Sequence, residues 1–376
     1  MRITFVLPFA GLSGGVRVVA YYAELLRQKG HSVLVISVPP SQPKFRDNFK
    51  SFLKSGRWPK PPVLPTHMDR AKVEHRVIDR VRPIMNHDVP DADVIIATWW
   101  ETDDWVAAMA PSKGVKAYFI QQFEANFGFP ADRVGATWKL PLKKMVASQW
   151  LADFARERFD ETVVGVIPNG VDLELFRAPP RGRQASPTVG LMYGQNRVKG
   201  CDLSLAALNQ IKEKFPSLRV LAFGEQQVIP TLPLPEWSTY TFHPKQEGLR
   251  DIYSSCDVWL CGSRSEGFHL PPHEAMACRC PVVSTRVGGP MDMIEDGVNG
   301  YLVEVEDAAG LADRLTRVLS LSEPQWKKIS DAALETAQRF NWNSAVDKFE
   351  NYLQEICGVC AHDAQKSGRT VERVGA

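Results

Sequence analysis

Short, almost wholly apolar strands alternate with helical segments in two runs on either side of one polar stretch. That pattern constrains this 376-residue chain more than any other feature of its sequence. ITFVL (3–7) breaks at Pro8 into a loop ending in Gly14-Gly15. From Val16 to Lys29 the apolar residues recur at helical spacing, Gly30 stops the segment, and HSVLVIS (31–37) follows. Strands that are apolar on both faces belong to a parallel sheet covered on both sides, so this is a β-loop-α-β unit. DVIIAT (93–98), VKAYFI (115–120), a helix near 146–158 and TVVGVI (162–167) continue the rhythm. APPRGRQASP (178–187) then reads as a linker. After it come strands at 188–193, 218–224, 257–262 and 281–285 and helices over 201–214, 246–255 and 271–278. Two or three further helices fill 307–356, and a polar tail (361–376) is expected to fray. The fold class is α/β: two Rossmann-like, doubly wound parallel-sheet domains, 1–177 and 178–340, with loops at the strands' carboxyl ends facing a central cleft.

Composition excludes other classes. With 44% hydrophobic residues and a net charge of +2, the chain is neither disordered nor collagen-like. No apolar run approaches the ~18–20 residues needed to cross a bilayer. The first fifteen residues read as a strand and its loop rather than a signal peptide. Seven cysteines, an odd number spread through apolar segments, point to reduced thiols and a cytoplasmic location. Cys357-x-x-Cys360 lacks a second CxxC or a nearby HxxxH, so no metal site is expected there. No G-x-G-x-x-G follows the first strand, which argues against a nicotinamide or flavin enzyme, and no nucleic-acid motif is present. Asp91-Ala-Asp93 is a D-x-D, but it sits immediately before an apolar strand and reads as a turn.

The densest chemistry lies in Ser263-Arg-Ser-Glu266-Gly-Phe-His-Leu-Pro-Pro-His-Glu274. It follows a buried strand and enters a helix near Pro271, and a helix start offers free N–H groups and a positive dipole end to an anion. The two prolines have no N–H, so the donors must come from Gly267, Phe268, His269, Leu270 and His273. A carboxylate beside such a site suits sugar or ribose hydroxyls. An arbitrary pair of glutamates at this spacing would be solvated loop and helix charges.

This segment, with PVVSTRVGG (281–289) and Glu295-Asp-Gly-Val-Asn-Gly-Tyr-Leu-Val, resembles the donor-binding half of the GT-B retaining glycosyltransferases of family 4, glycosyl transferases group 1. The resemblance covers most of the chain. Gly14-Gly15-Val-Arg-Val-Val with RQKGHSVLV is similar to the family's first glycine loop, helix and second strand. Ser148-Gln-Trp-Leu, IPNGVDLELF (167–176) and GQNRVKGCDLSLAAL (194–208) resemble the passage into the second domain. FNWNSAVDKFENYL (340–353) resembles the closing helix (341–357), which in the family returns to the first domain.

The resemblance implies transfer of a sugar, with retention, from a nucleotide-sugar to a saccharide or lipid-linked acceptor, without a metal or other cofactor. Cell-surface polysaccharide or glycoconjugate synthesis is the expected setting. It implies that Glu274 holds the ribose and that Glu266 with Gly267, Phe268, His269 and Leu270 holds the sugar. Lys199 pairs with the diphosphate, and Gly14-Gly15 lets backbone approach it. Fixed cations and N–H dipoles would stabilise the charge that develops on the leaving diphosphate. Other readings stay open: an epimerase or phosphorylase on the same fold, or a non-catalytic nucleotide-sugar binding protein.

Several positions depart from the family pattern. The family's arginine lies five residues before its lysine; Gly194 stands there, and the second cation is assigned to Arg197. His269 replaces a glycine and either touches sugar or phosphate or fills space. Arg279 replaces a glycine at a helix end, where a left-handed residue costs about 1 kcal/mol. The domain-one histidine of many relatives has no counterpart in Ala97-Thr-Trp-Trp-Glu101. Gln121 and Glu124, in YFIQQFEANF, are acceptor-side candidates or buried structural groups.

Residues 41–82 carry eleven Lys or Arg against four acids, a surplus of seven in a chain of net charge +2. Within 44–60, Phe45, Phe49, Phe52 and Leu53 fall at near-helical spacing among cations. Such a segment either contacts an anionic membrane surface peripherally, at its inner face, or packs its phenylalanines on the first domain.

Overall fold

Val, Ile and Leu fill the strands densely enough that they must be covered on both faces. In the computed structural model, which describes residues 1–40, 65–162 and 165–358, they form two parallel sheets. The first is ordered β3-β2-β1-β4-β5-β6-β7. Its strands are β1 (Arg2–Leu7), β2 (Ser32–Ser37), β3 (Glu74–Val77), β4 (Val94–Ala97), β5 (Val115–Ile120), β6 (Lys143–Val146) and β7 (Gly165–Val166). The second runs β10-β9-β8-β11-β12-β13, from β8 (Thr188–Met192), β9 (Arg219–Gly224), β10 (Ser238–Phe242), β11 (Val258–Cys261), β12 (Val282–Thr285) and β13 (Gly300–Val303). Both are doubly wound, with order reversing between β1 and β4 and between β8 and β11. Ligands of such sheets bind at the carboxyl ends of the strands flanking the reversal.

Among the described residues, contacts group 1–118, 140–144 and 346–358 in one unit and 119–139 with 145–345 in the other. The first is built on α1 (Gly14–Gln28), whose buried Tyr22 meets Phe349 of the closing helix α11 (Trp342–Ile356) at 4.5 Å between ring centroids. Lys29 pairs with Asp347 and Glu350 of α11 at 2.8 Å each, and Tyr352 donates to the Lys144 carbonyl at 3.1 Å. Asp91 and Asp93 fix the entry to β4. Asp93 accepts from the Arg2 amide and guanidinium, and Asp91 from Ser112 and Lys113. The two carboxylates of the D-x-D are thus taken up by contacts at the start of β4.

In the second unit, 178–187 is not a free linker. Arg183 donates to the carbonyls of Leu319 and Leu321 at the end of α9 (Ala308–Leu319), while Asp257 accepts from the amides of Gln184 and Thr188. A composition rich in arginine and proline suits a linker equally well, but here arginine forks meet the unpaired carbonyls of a helix end. Arg279 is left-handed, at φ 59°. Its side chain reaches the Ala178 carbonyl and Asp331, contacts that glycine could not make. The basic segment 44–60 and the tail 361–376 lie outside the described residues.

Among the described residues, no helix is long and apolar enough to cross a membrane. No three His, Cys, Asp or Glu side chains among them come together as a metal site.

Candidate active site

The loops leaving β8 and β11 meet at the reversal of the second sheet. After β8 the chain makes a single 3-10 turn, Arg197–Lys199, capped by the Asn196 side chain, which accepts from the Val198 amide at 2.9 Å. Gly200 ends the turn at φ 57°, and a Cβ there would stand 1.6 Å from the Gly262 carbonyl, so only glycine fits. Helix α5 (Cys201–Ile211) follows.

Arg264 locks the two loops together. Its amide donates to the Val198 carbonyl and its guanidinium to the Arg197 carbonyl, each at 2.7 Å. The same guanidinium grips Asp202 and Glu306 with paired hydrogen bonds. Two bidentate carboxylate pairs fix a plane as well as a charge.

Lys199 is thereby held over Glu266, with Nζ 3.0 Å from each carboxylate oxygen; Ser263 donates to Oε1 at 2.9 Å. Burial alone would raise the Glu266 pKa, but its charged and hydrogen-bonded neighbours outweigh that and hold it below the ordinary 4.5. His269 Nε2 lies 3.5 Å from Oε1. Burial lowers this imidazole to about 4, so it is neutral near pH 7 and Lys199 supplies the balancing charge. Lys199 also lies 5.7 Å from the Phe127 ring.

Gly267, Phe268, His269 and Leu270 carry the chain into α7 (Leu270–Ala277). Among the described residues, nothing accepts from the amides of Phe268, His269 or Leu270, and Pro271 and Pro272 have none to offer. Further along this helix, buried Glu274 accepts from the Tyr253 hydroxyl at 2.8 Å. A Cβ on Gly267 would fall 1.6 Å from the Gln121 carbonyl, and Asn126 donates to Ser265 at 2.7 Å. The segment bearing Gln121 and buried Glu124 therefore packs directly on the glutamate loop.

Lys199, Glu266, Gly267, Phe268, His269 and Leu270 are thus brought together, with Glu274 further along the same helix. Arg197 is exposed on the lysine turn, and its charge helps to lower the Glu306 pKa. Gly14 and Gly15 open α1 in the first unit, behind a Ser13 cap. Sequence reasoning missed Ser263 as a ligand of Glu266, along with Asn126, Phe127 and the Arg264 clamp. Replacing Arg264 with Ala is expected to lower kcat/KM about 10- to 100-fold by freeing the lysine turn. Arg264→Lys, which lacks the planar fork that makes two bidentate pairs, is expected to retain little more; steady-state kinetics checks both.

Residues 187–321 match the family model described as "Glycosyl transferases group 1". They form a glycosyl transferases group 1 domain. This domain holds Lys199, Glu266 and Glu274. The D-inositol 3-phosphate glycosyltransferase of Nocardiopsis dassonvillei is 33% identical over 211 residues, 49% of this chain and 48% of that protein. The chain spans about half the length of the curated relatives it matches. The structure of Anabaena HepE in complex with UDP-glucose matches with TM-score 0.72 at 18% identity, over 94% of this chain and 100% of that one. Sucrose-phosphate synthase from Thermosynechococcus elongatus matches with TM-score 0.69 at 18% identity, over 96% and 100%. At such identity the likeness concerns the fold: two parallel-sheet α/β domains of the GT-B type.

Proposed function

We propose that the protein is a retaining glycosyltransferase that moves a sugar from a nucleotide-sugar to a saccharide or lipid-linked acceptor. One observation carries this reading: a buried Glu266 paired with half-buried Lys199, beside the unused amides of residues 268–270, one helical segment from Glu274. Lys199 would turn from Glu266 to the diphosphate, with Arg197 adding charge, and would stabilise the negative charge growing on the leaving group. Glu266, released, would accept sugar hydroxyls alongside the amides. Glu274, oriented by Tyr253, would accept from the ribose. Gln121 and Glu124 would stand on the acceptor side. The assignment of Gly14 and Gly15 to the diphosphate rests on family resemblance alone. No metal ion is required in this scheme.

The test is proton NMR of the product formed from α-linked UDP-, GDP-, ADP- and dTDP-sugars with candidate acceptors. An α-anomeric product is expected; a β-anomer contradicts retention, and no turnover with any donor contradicts transfer.

We also propose, from sequence, that the basic segment 44–60 brings a cytoplasmic enzyme to the membrane's inner face and a lipid-linked acceptor. Lys44, Lys50 and Lys54→Glu together are expected to reduce co-sedimentation with anionic vesicles at least tenfold, at about 1 kcal/mol per cation. Unchanged sedimentation would remove this part of the proposal.

A further inference from the structure

His269 stands where the backbone least favours a side chain, at φ 68°, ψ 80°, just before α7. Glycine would hold that conformation with less strain, so the imidazole calls for an explanation in what it contacts. The ring is buried. Nε2 faces Glu266 Oε1 at 3.5 Å, while Nδ1 is buried with no hydrogen-bond partner among the described residues. A neutral imidazole carries one N–H and one lone pair. Beside a carboxylate kept ionised by Lys199, the hydrogen belongs on Nε2, and Nδ1 is left as an acceptor. A phosphate oxygen without a proton cannot satisfy that lone pair, whereas a hydroxyl can.

We propose that His269 is a specificity-determining residue whose Nδ1 accepts a hydrogen bond from a hydroxyl of the transferred sugar. The site then favours a sugar-bearing nucleotide over the bare nucleoside diphosphate. This rests on the nucleotide-sugar reading above and adds which atom recognises the sugar and by what chemistry. It also distinguishes His269 from Lys199, whose charge serves the diphosphate.

The experiment is titration calorimetry of the wild-type chain, His269→Gly and His269→Asn. The ligands are UDP, GDP, ADP and dTDP and their glucose and mannose conjugates. Glycine tolerates the left-handed backbone, so His269→Gly is expected to fold as the wild type does. The ratio of bare-nucleotide to conjugate dissociation constants is expected to fall about five- to tenfold in His269→Gly, the loss of one hydrogen bond. Bare-nucleotide affinity should stay within about twofold. Asn, which accepts through Oδ1 and also tolerates a left-handed backbone, should recover part of the ratio. An unchanged ratio, or equal weakening of both ligands, overturns the proposal. If the wild type binds none of these nucleotides, the donor-site reading itself fails and this inference with it.

Discussion

Lys199→Ala is expected to lower donor-dependent kcat/KM about 10²- to 10³-fold, the usual loss when one preorganised group facing developing charge is removed. The same change should also destabilise the fold, because Glu266 is 6% exposed and loses the ammonium group 3.0 Å from it. A cost on the order of 2 kcal/mol follows, less than for a fully buried pair because Lys199 is 28% exposed. In the wild type the folded pKa of Glu266 lies below 4.5, so its stabilisation is complete above that pH and disappears as pH falls through the folded value. Without Lys199, Glu266 loses a cation and a hydrogen bond that hold its folded pKa down, so that pKa should rise and the pair's contribution near neutral pH should be lost. Thermal melts of both proteins between pH 3.5 and pH 7 check this, at about 4 °C or less per kcal/mol for a chain of this size. Lys199→Met with Glu266→Gln, which removes both charges, should recover stability while activity stays lost. Activity regained in that double variant would show that the pair is structural only.

Glu274→Gln is the second large effect. The glutamine oxygen can still accept from Tyr253, so the buried hydroxyl keeps a partner and the melt should move little. A carboxylate can accept from both hydroxyls of a ribose, whereas an amide bound to Tyr253 offers an N–H in place of an acceptor. Nucleotide affinity is therefore expected to fall about 10- to 100-fold, at roughly 1.5–3 kcal/mol for a hydrogen bond to a charged group. The sugar's own contribution, read as the bare-to-conjugate ratio, should be unchanged. That separates Glu274 from His269, whose replacement is expected to move the ratio and leave bare-nucleotide affinity intact.

The parts of this account that the sequence disclosed lie in short segments. Glu266 and Glu274 stand out in a strand, glycine-bearing loop and proline-started helix from Val258 to Ala275, but only the family resemblance set them apart from solvated charges. Lys199 came from the family resemblance of GQNRVKGCDLSLAAL (194–208) and from no local pattern. Arg264 was not legible: its partners Asp202 and Glu306 lie 62 and 42 residues away, and nothing in a single sequence joins them. The packing of Asn126 on Ser265 spans 139 residues and was hidden likewise. β3 and β10 escaped because they are edge strands, largely exposed, whose polar residues dilute the apolar signal. β6 escaped because it is four residues long and ends at Val146, where the helix near 146–158 was expected to begin. The stretch 178–187 was misread because composition reports polarity, and polar side chains that strap a domain resemble those that leave it.

The most direct measurement is a thermal-shift titration of the wild type, Lys199→Ala and Glu274→Gln against UDP, GDP, ADP and dTDP. At 100 times its dissociation constant, one of these nucleotides is expected to stabilise the wild type by about 2.7 kcal/mol. The same concentration should stabilise both variants much less. A nucleotide that stabilises all three proteins equally, or a wild type that responds to none of them, would contradict the claim that the loops after β8 and β11 hold a nucleotide-sugar.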